Sequence, residues 1–324
     1  MNVLGIDIGY SNLKLACGSH DGEPRVILRP AGAAPADRLG ERIHDTDTED
    51  FMRVQVNGQA FVAGLSPDRT ELWSRELHED YPSTDSYRAL FHAGLLLSEL
   101  DRIDQLVTGL PVSQYLNPTL RTRLKTLMEG EHQVTPRRTI TVASVKVVPQ
   151  PVGGFVDHVW NLTDAAEFED SRVLVIDPGF FSVDWVLINN GELRRQSCGT
   201  SLEASSVILD EAAKLLAIDF GGNVGRERLE DTIRLNQQEV RLYGEKIDIT
   251  PYLKTAADKV GPIVATRLRE SLRKENAGAD IILLVGGGAN FFQPSVQDAF
   301  PQFKVCVSDS PVLANARGFW RMGA

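Results

Sequence analysis

The sequence has little of what a secreted, membrane-spanning or nucleic-acid-coating protein needs. Its 324 residues hold three cysteines, Cys17, Cys198 and Cys306, too far apart in the chain for a disulfide framework or a zinc knuckle. So few thiols point to a reducing, cytoplasmic compartment. The longest nearly apolar stretch, Ile281 to Phe292, carries three glycines and falls well short of the ~20 residues a spanning helix requires, so no membrane association is expected. The N-terminus reads Met-Asn-Val-Leu-Gly-Ile-Asp, with no basic region ahead of its apolar run, and is not expected to be a secretory signal. Positive charge is in deficit as well: Lys+Arg 34 against Asp+Glu 44 gives a net charge of −10. A protein that coats nucleic acid would need a basic surface, so no direct nucleic-acid contact is expected. Arg121-Thr122-Arg123-Leu124-Lys125 and Arg137-Arg138 are the basic clusters present, and they read as a solvated helix face and a hairpin turn. Several catalytic signatures are also missing. There is no Gly-Lys-Ser/Thr P-loop, no Gly-x-Ser-x-Gly elbow and no His-Glu-x-x-His, and the six histidines are scattered.

What is present suits a globular protein of about two domains: 42% hydrophobic and 24% charged residues. Val3 to Gly9 is a buried-strand pattern closed by glycine, and Ser11 to Cys17 alternates as the second strand of a hairpin would. Residues 31–50 read as loop, and Asn57-Gly58 as a hairpin turn. Helices are expected from Tyr87 to Ser98, after Asn117-Pro118 up to Gly130, from Phe155 to Leu162, and over 203–217 and 260–274. Strands are expected at Gln105–Thr108, Ile140–Val142, Val145–Val147, Val173–Ile176 and Ile281–Val285. The alternation indicates an α/β fold with mixed sheets.

One internal repeat organises the chain. Val3-Leu4-Gly5-Ile6-Asp7-Ile8-Gly9 returns 170 residues later as Val173-Leu174-Val175-Ile176-Asp177-Pro178-Gly179, with five of seven positions identical. Two similar halves facing each other would form a cleft, the usual place for a ligand. A strand–Gly–strand turn aims successive backbone N–H groups into a small concavity suited to phosphate oxygens, and a Cβ there would hold the backbone away. An Asp beside such a turn repels phosphate unless a Mg²⁺, still largely hydrated, lies between them. The simpler alternative is that Asp7 and Asp177 only cap strand ends. Gly286-Gly287-Gly288 follows an apolar strand, but the dinucleotide fingerprint fails because its third glycine would fall at Phe291. A bare platform for a base or ribose remains, or a strand end packed closely against a neighbour.

Together these residues resemble the actin-like ATPase superfamily, and within it the ParM/StbA-type plasmid segregation actins. The first phosphate motif corresponds to Asp7-Ile8-Gly9-Tyr10-Ser11-Asn12-Leu13-Lys14 and the first connecting motif to Val107-Thr108-Gly109-Leu110-Pro111-Val112. The segment leading to the family's catalytic polar residue corresponds to Val145-Lys146-Val147-Val148-Pro149-Gln150. The second phosphate motif is Asp177-Pro178-Gly179-Phe180-Phe181-Ser182-Val183-Asp184 and the adenosine motif Leu284-Val285-Gly286-Gly287-Gly288-Ala289. The second connecting segment looks like Ala314-Asn315-Ala316-Arg317-Gly318, and the Asp80-Tyr81-Pro82 neighbourhood adds to the ParM likeness.

The resemblance implies an actin-like (actin/Hsp70/sugar-kinase) fold of two related α/β domains around a nucleotide cleft. Residues 1–168, completed by 310–324, would form the first domain and 169–309 the second. It implies ATP or GTP with Mg²⁺, Asp7 and Asp177 holding the metal through water, and Gln150 and Asp177 positioning the hydrolytic water. Gly9, Tyr10, Ser11, Asn12, Lys14, Gly179, Phe180 and Ser182 would meet the phosphates. Gly286, Gly287, Gly288 and Asn290 would line the adenosine pocket. Lys14 as a plain exposed strand residue and Asp184 as a structural one remain alternatives. The implied function is a head-to-tail homopolymer that hydrolyses nucleotide to move plasmid DNA through a DNA-binding centromere adaptor. A phosphotransferase of the same fold and a non-filamentous scaffold are the alternatives. Three departures bear on rate: Phe180 replaces a usual Gly, Pro178 lacks an N–H, and Gln150 stands where segregation actins tend to carry Glu and can orient water without taking its proton.

Overall fold

A computed structural model describes residues 1–40, 50–66, 69–70, 80–163, 165–222, 224–273 and 278–324. The chain divides into two units, Met1–Thr163 with Val312–Ala324, and Asp164–Pro311.

The first unit opens with β1 (Asn2–Ile8), β2 (Asn12–Ser19), β3 (Arg25–Pro30), β4 (Gly32–Pro35), β5 (Met52–Val56) and β6 (Gln59–Leu65). It continues with α1 (Asp85–Ser98), β7 (Arg102–Ile103), β8 (Gln105–Leu110), α2 (Val112–Tyr115) and α3 (Pro118–Met128). Then come β9 (Gly130–Thr135), β10 (Arg138–Val142), β11 (Val145–Pro149) and α4 (Gln150–Trp160). Its main sheet has the order β11-β8-β1-β2-β3. β1 is parallel to β8 and antiparallel to β2, so it lies in the middle. That position explains its sequence: Val3 to Ile8 are all buried, as a strand covered on both faces must be. On one face Ile6 meets α1 so closely that a Cβ on Gly94 would stand 2.7 Å from Ile6 Cδ1.

The second unit holds α5 (Ala166–Glu169), β12 (Arg172–Pro178), β13 (Val183–Asn189), β14 (Glu192–Leu193), β15 (Gly199–Ser201), α6 (Ser205–Phe220) and α7 (Arg226–Arg234). β16 (Glu239–Leu242), β17 (Glu245–Asp248), α8 (Thr250–Arg273), β18 (Ile281–Leu284), α9 (Ala289–Ala299) and β19 (Lys304–Val307) follow. Its main sheet runs β14-β13-β12-β18-β19, with β15 paired to β13. This is the first unit's order over again: a central strand, antiparallel to the next in sequence and parallel to a later one, which is parallel to a third. The helix α10 (Pro311–Gly323) returns to the first unit.

Several expectations shift. Residues 32–38, expected as loop, form β4 and a single 3-10 turn; 41–49 of that stretch lie outside the described residues. α4 begins at Gln150, five residues before the expected start, because Pro151 fits the first turn of a helix. Its two glycines, poor helix formers, disguise it in the sequence. α8 begins at Thr250 rather than 260 and runs through Pro262. α7 and the β16–β17 hairpin are additions that the pattern of hydrophobic residues did not announce.

Candidate functional site

The repeat in the sequence is a repeat in register. β1 and β2 pair Asp7 with Lys14 and Ile8 with Leu13; β12 and β13 pair Asp177 with Asp184 and Pro178 with Val183. Each pair of positions is displaced by the same 170 residues. Between the strands, Gly9 N–H donates to Asn12 O at 3.0 Å, and Gly179 N–H to Ser182 O at 2.8 Å. Neither glycine has a positive φ. What fixes them is space: a Cβ would stand 3.3 Å from Asn12 O in the first turn and 2.9 Å from Ser182 O in the second. Phe180 also lies outside the positive-φ region, so the side chain that replaces a glycine imposes no left-handed strain.

In the first unit Asp7 is 1% exposed. Lys14 Nζ meets its Oδ2 at 2.8 Å, and Gln150 Nε2 donates to its Oδ1 at 3.2 Å. Gly9, Tyr10, Ser11 and Asn12 are half-buried, and Asn12 Nδ2 donates to Ser11 Oγ at 3.0 Å. Tyr10 stacks on Tyr81 with centroids 4.6 Å apart, and Tyr81 meets Tyr87 edge-on at 5.3 Å. Burial above all, with the neighbouring Tyr81 and Asp7 adding to it, raises the Tyr87 hydroxyl far above its usual range and keeps it protonated. The tyrosine row thus fastens the turn to the start of α1 through aromatic packing.

In the second unit the hydroxyl of Ser182 donates to Asp184 Oδ2 at 2.7 Å, and Thr200 Oγ1 donates to Oδ1 at 2.6 Å. Asp184 therefore holds the turn from inside. Ser205 N–H and Ser206 N–H, at the start of α6, donate to the carbonyls of Gly179 and Phe180 at 3.2 and 2.9 Å. The Phe180 ring lies under Arg226, 5.7 Å from the guanidinium carbon, and Arg226 Nη1 reaches Asp210 Oδ2 at 3.1 Å. The glycine run is tied to the same turn. Gly288 N–H donates to Pro178 O at 2.8 Å, and a Cβ on Gly288 would stand 2.7 Å from that oxygen. Gly286 has φ +78, and a Cβ there would collide with Asp177 Oδ1. Gly287 is exposed between them, and Asn290 is exposed on the first turn of α9. Asp177 is buried at 6% exposure.

The expected site residues thus form one set in each unit: Asp7, Gly9 to Asn12, Lys14 and Gln150 in the first, and Asp177, Gly179, Phe180, Ser182 and Gly286 to Asn290 in the second. Thr200 and Arg226 were not legible in the sequence, since each meets its partner only through packing distant in sequence. Among the described residues no group of three or more His, Cys, Asp or Glu could by itself hold a metal ion, and no helix is long and apolar enough to cross a membrane.

A duplicated strand order, five strands in the first sheet and five in the same order plus β15 in the second, with an acid at the end of each central strand and the same glycine turn after it, defines the actin-like class. Residues 5–153 match the family of actin like proteins, N-terminal domain, and residues 175–298 match the archaeal actin homologue MreB-like C-terminal family. The two matches span most of the chain, and it belongs to the actin-like proteins. No curated protein sequence matches it. Among solved structures, a non-polymerisable quadruple mutant of pCBH ParM is similar at TM-score 0.78 and 17% identity, covering 99% of this chain and 98% of that one. The archaeal actin homologue Ta0583 is similar at TM-score 0.76 and 17% identity, covering 98% of both chains. A ParM from a 15-stranded Clostridium botulinum filament is similar at TM-score 0.73 and 18% identity, covering 99% of this chain and 98% of that one. The fold is the actin-like fold.

Proposed function

We propose that the protein is a nucleotide-dependent, filament-forming actin-like ATPase that acts in plasmid DNA segregation. The observation that carries this reading is the in-register duplication of the Asp–glycine turn, with a glycine run hydrogen-bonded to the second copy. Backbone N–H groups in such turns suit phosphate oxygens, and the glycines let each turn close tightly and the glycine run pack onto the second one, since a Cβ at Gly286 or Gly288 would press on Asp177 Oδ1 or Pro178 O. Two such turns suit the phosphates of a nucleoside triphosphate. Ta0583 has been crystallised with ADP and a Bacillus thuringiensis ParM with AMPPNP, which supports the choice of ligand class.

Asp7 and Asp177 are the carboxylates to hold Mg²⁺, each through water, as suits a cation that keeps much of its hydration shell. The metal would neutralise phosphate charge. Lys14, already beside Asp7, adds a fixed positive charge at the first turn. Gln150, donating to Asp7 Oδ1, leaves its side-chain oxygen to orient a water; unable to take up that water's proton, it acts by position alone. Gly9, Tyr10, Ser11, Asn12, Gly179, Phe180 and Ser182 form the two turns that receive the phosphates. Gly286, Gly287, Gly288 and Asn290 receive the adenosine or guanosine.

The likeness to filament-forming ParM supports self-association, and the acidic net charge fits DNA contact through a separate adaptor protein. Head-to-tail contacts whose rotation does not close give open filaments. Titration calorimetry with Mg-ATP and Mg-GTP tests the ligand assignment. Wild type binds one of them, and Gly286→Ala, which forces Asp177 aside at a positive φ, weakens binding at least tenfold. Equal binding by the variant, or none by wild type, contradicts the assignment.

A further inference from the structure

Gln150 owes its place to the C-terminal helix. α10 lies against β1, where a Cβ on Gly5 would collide with Ala316 O and stand 2.5 Å from Trp320 N. Its other side lies against α4, where Gly318 meets Gly153 O too closely for any side chain. Gly154 N–H donates to Asn315 Oδ1 at 3.0 Å. Phe319 completes the arrangement: a Cβ on Gly109, in β8, would stand 2.6 Å from Phe319 Cζ and 2.7 Å from Gln150 Cγ. α10 therefore spaces the strand that carries Asp7 from the helix that begins with Gln150.

One charged group locks that spacing. Asp157 of α4 has no exposed surface. Arg317 Nε lies 3.0 Å from each of its carboxylate oxygens and Nη2 lies 2.5 Å from Oδ2. Arg321 Nη1 donates to the Asp157 carbonyl at 3.0 Å and lies 3.3 Å from Oδ1, while Nη2 donates to Asn161 Oδ1 at 3.1 Å. The Arg321 guanidinium also lies over Trp160, 5.4 Å from the ring centroid. Gln150 and Asp157 are seven residues apart, so they share a face of α4 to within about 20°, about 10 Å apart along the axis. Sliding or rolling α4 on α10 would break the Asp157 fork and carry Gln150 away from Asp7.

We propose that Asp157, Arg317 and Arg321 are positioning residues that hold Gln150 against Asp7 through α4. The inference rests on the role given to Gln150 above. A planar fork on a carboxylate fixes direction as well as distance, and lysine keeps the charge while losing that geometry. Arg317→Lys is therefore the informative change, and Arg321→Lys is the second should the first not fold.

The test has two readouts. In ¹⁵N-labelled protein the Gln150 side-chain amide pair is the one lost in Gln150→Ala. Arg317→Lys should shift or broaden that pair, and an unmoved pair overturns the proposal whether or not nucleotide is hydrolysed. In phosphate-release assays at saturating Mg-nucleotide, Arg317→Lys should slow release about tenfold with nucleotide affinity within twofold of wild type. Added to Gln150→Ala, it should slow release no further. Full additivity, or a loss confined to affinity, overturns the proposal. If wild type releases no phosphate at all, the ATPase reading fails, and the amide resonance still decides the clamp.

Discussion

Lys14 stands directly across the β1–β2 pair from Asp7, its Nζ 2.8 Å from Oδ2, and the repeat puts Asp184 in the same place opposite Asp177. One hairpin end is thus a buried ion pair and the other a pair of carboxylates, one of them held by two hydroxyls. The two turns share a backbone and differ in charge. Under the proposed function a triphosphate would meet the Lys14 cation at the first turn, whereas the second turn would need a bound cation to bring phosphate near.

The Lys14–Asp7 pair has side-chain exposures of 13% and 1%, so removing the cation leaves a buried charge without its partner. Lys14→Met should destabilise the protein by about 3 kcal/mol. Asp184→Asn keeps an acceptor for one hydroxyl and should cost only about 1–2 kcal/mol. Urea unfolding of the two variants checks the ranking. A Lys14→Met loss below that of Asp184→Asn would mean that Asp7 does not depend on Lys14.

His92 and His132 form a buried pair, rings 5.8 Å apart. His92 Nδ1 is 2.7 Å from Gln55 O, and His132 Nε2 is 2.9 Å from Met128 O. Burial pushes the His92 pKa down to about 4 and lowers that of His132, with Arg88 adding to both shifts. The folded state therefore takes up protons later than the unfolded chain, whose histidines titrate near 6.5. Stability is full above that value and is lost as pH falls through 6.5 towards 4. The His92 share of the loss is about 3 kcal/mol. Urea midpoints across this window should fall with pH in wild type and fall less in His92→Gln. Parallel profiles would remove His92 as the cause.

Much of the fold was readable because each central strand repeats as a unit. Asp7 and Asp177 sit at equal places in two nearly identical heptapeptides, and a strand covered on both faces has to be apolar throughout. The two glycine turns were legible for the same reason. Asp157 with Arg317 was not: 160 residues separate the partners, and nothing local in either marks an ion pair. α4 was half hidden because Gly153 and Gly154 look like breakers, yet Gly153 is there to admit α10. The inward use of the Ser182 hydroxyl depends on Thr200 and Asp184 meeting across β13 and β15, a pairing that only the folded sheet reveals. Phe180 stands where the family usually has Gly, and its φ stays out of the positive region.

The central claim is that nucleotide bound through these turns drives assembly. The most direct measurement is 90° light scattering of purified protein after addition of Mg-ATP, Mg-GTP or Mg-ADP, with phosphate release followed in the same sample and Asp177→Ala alongside. The account predicts a rise with one triphosphate, a decay as phosphate appears, and neither in Asp177→Ala. No rise at any protein concentration, while the nucleotide demonstrably binds, would contradict it.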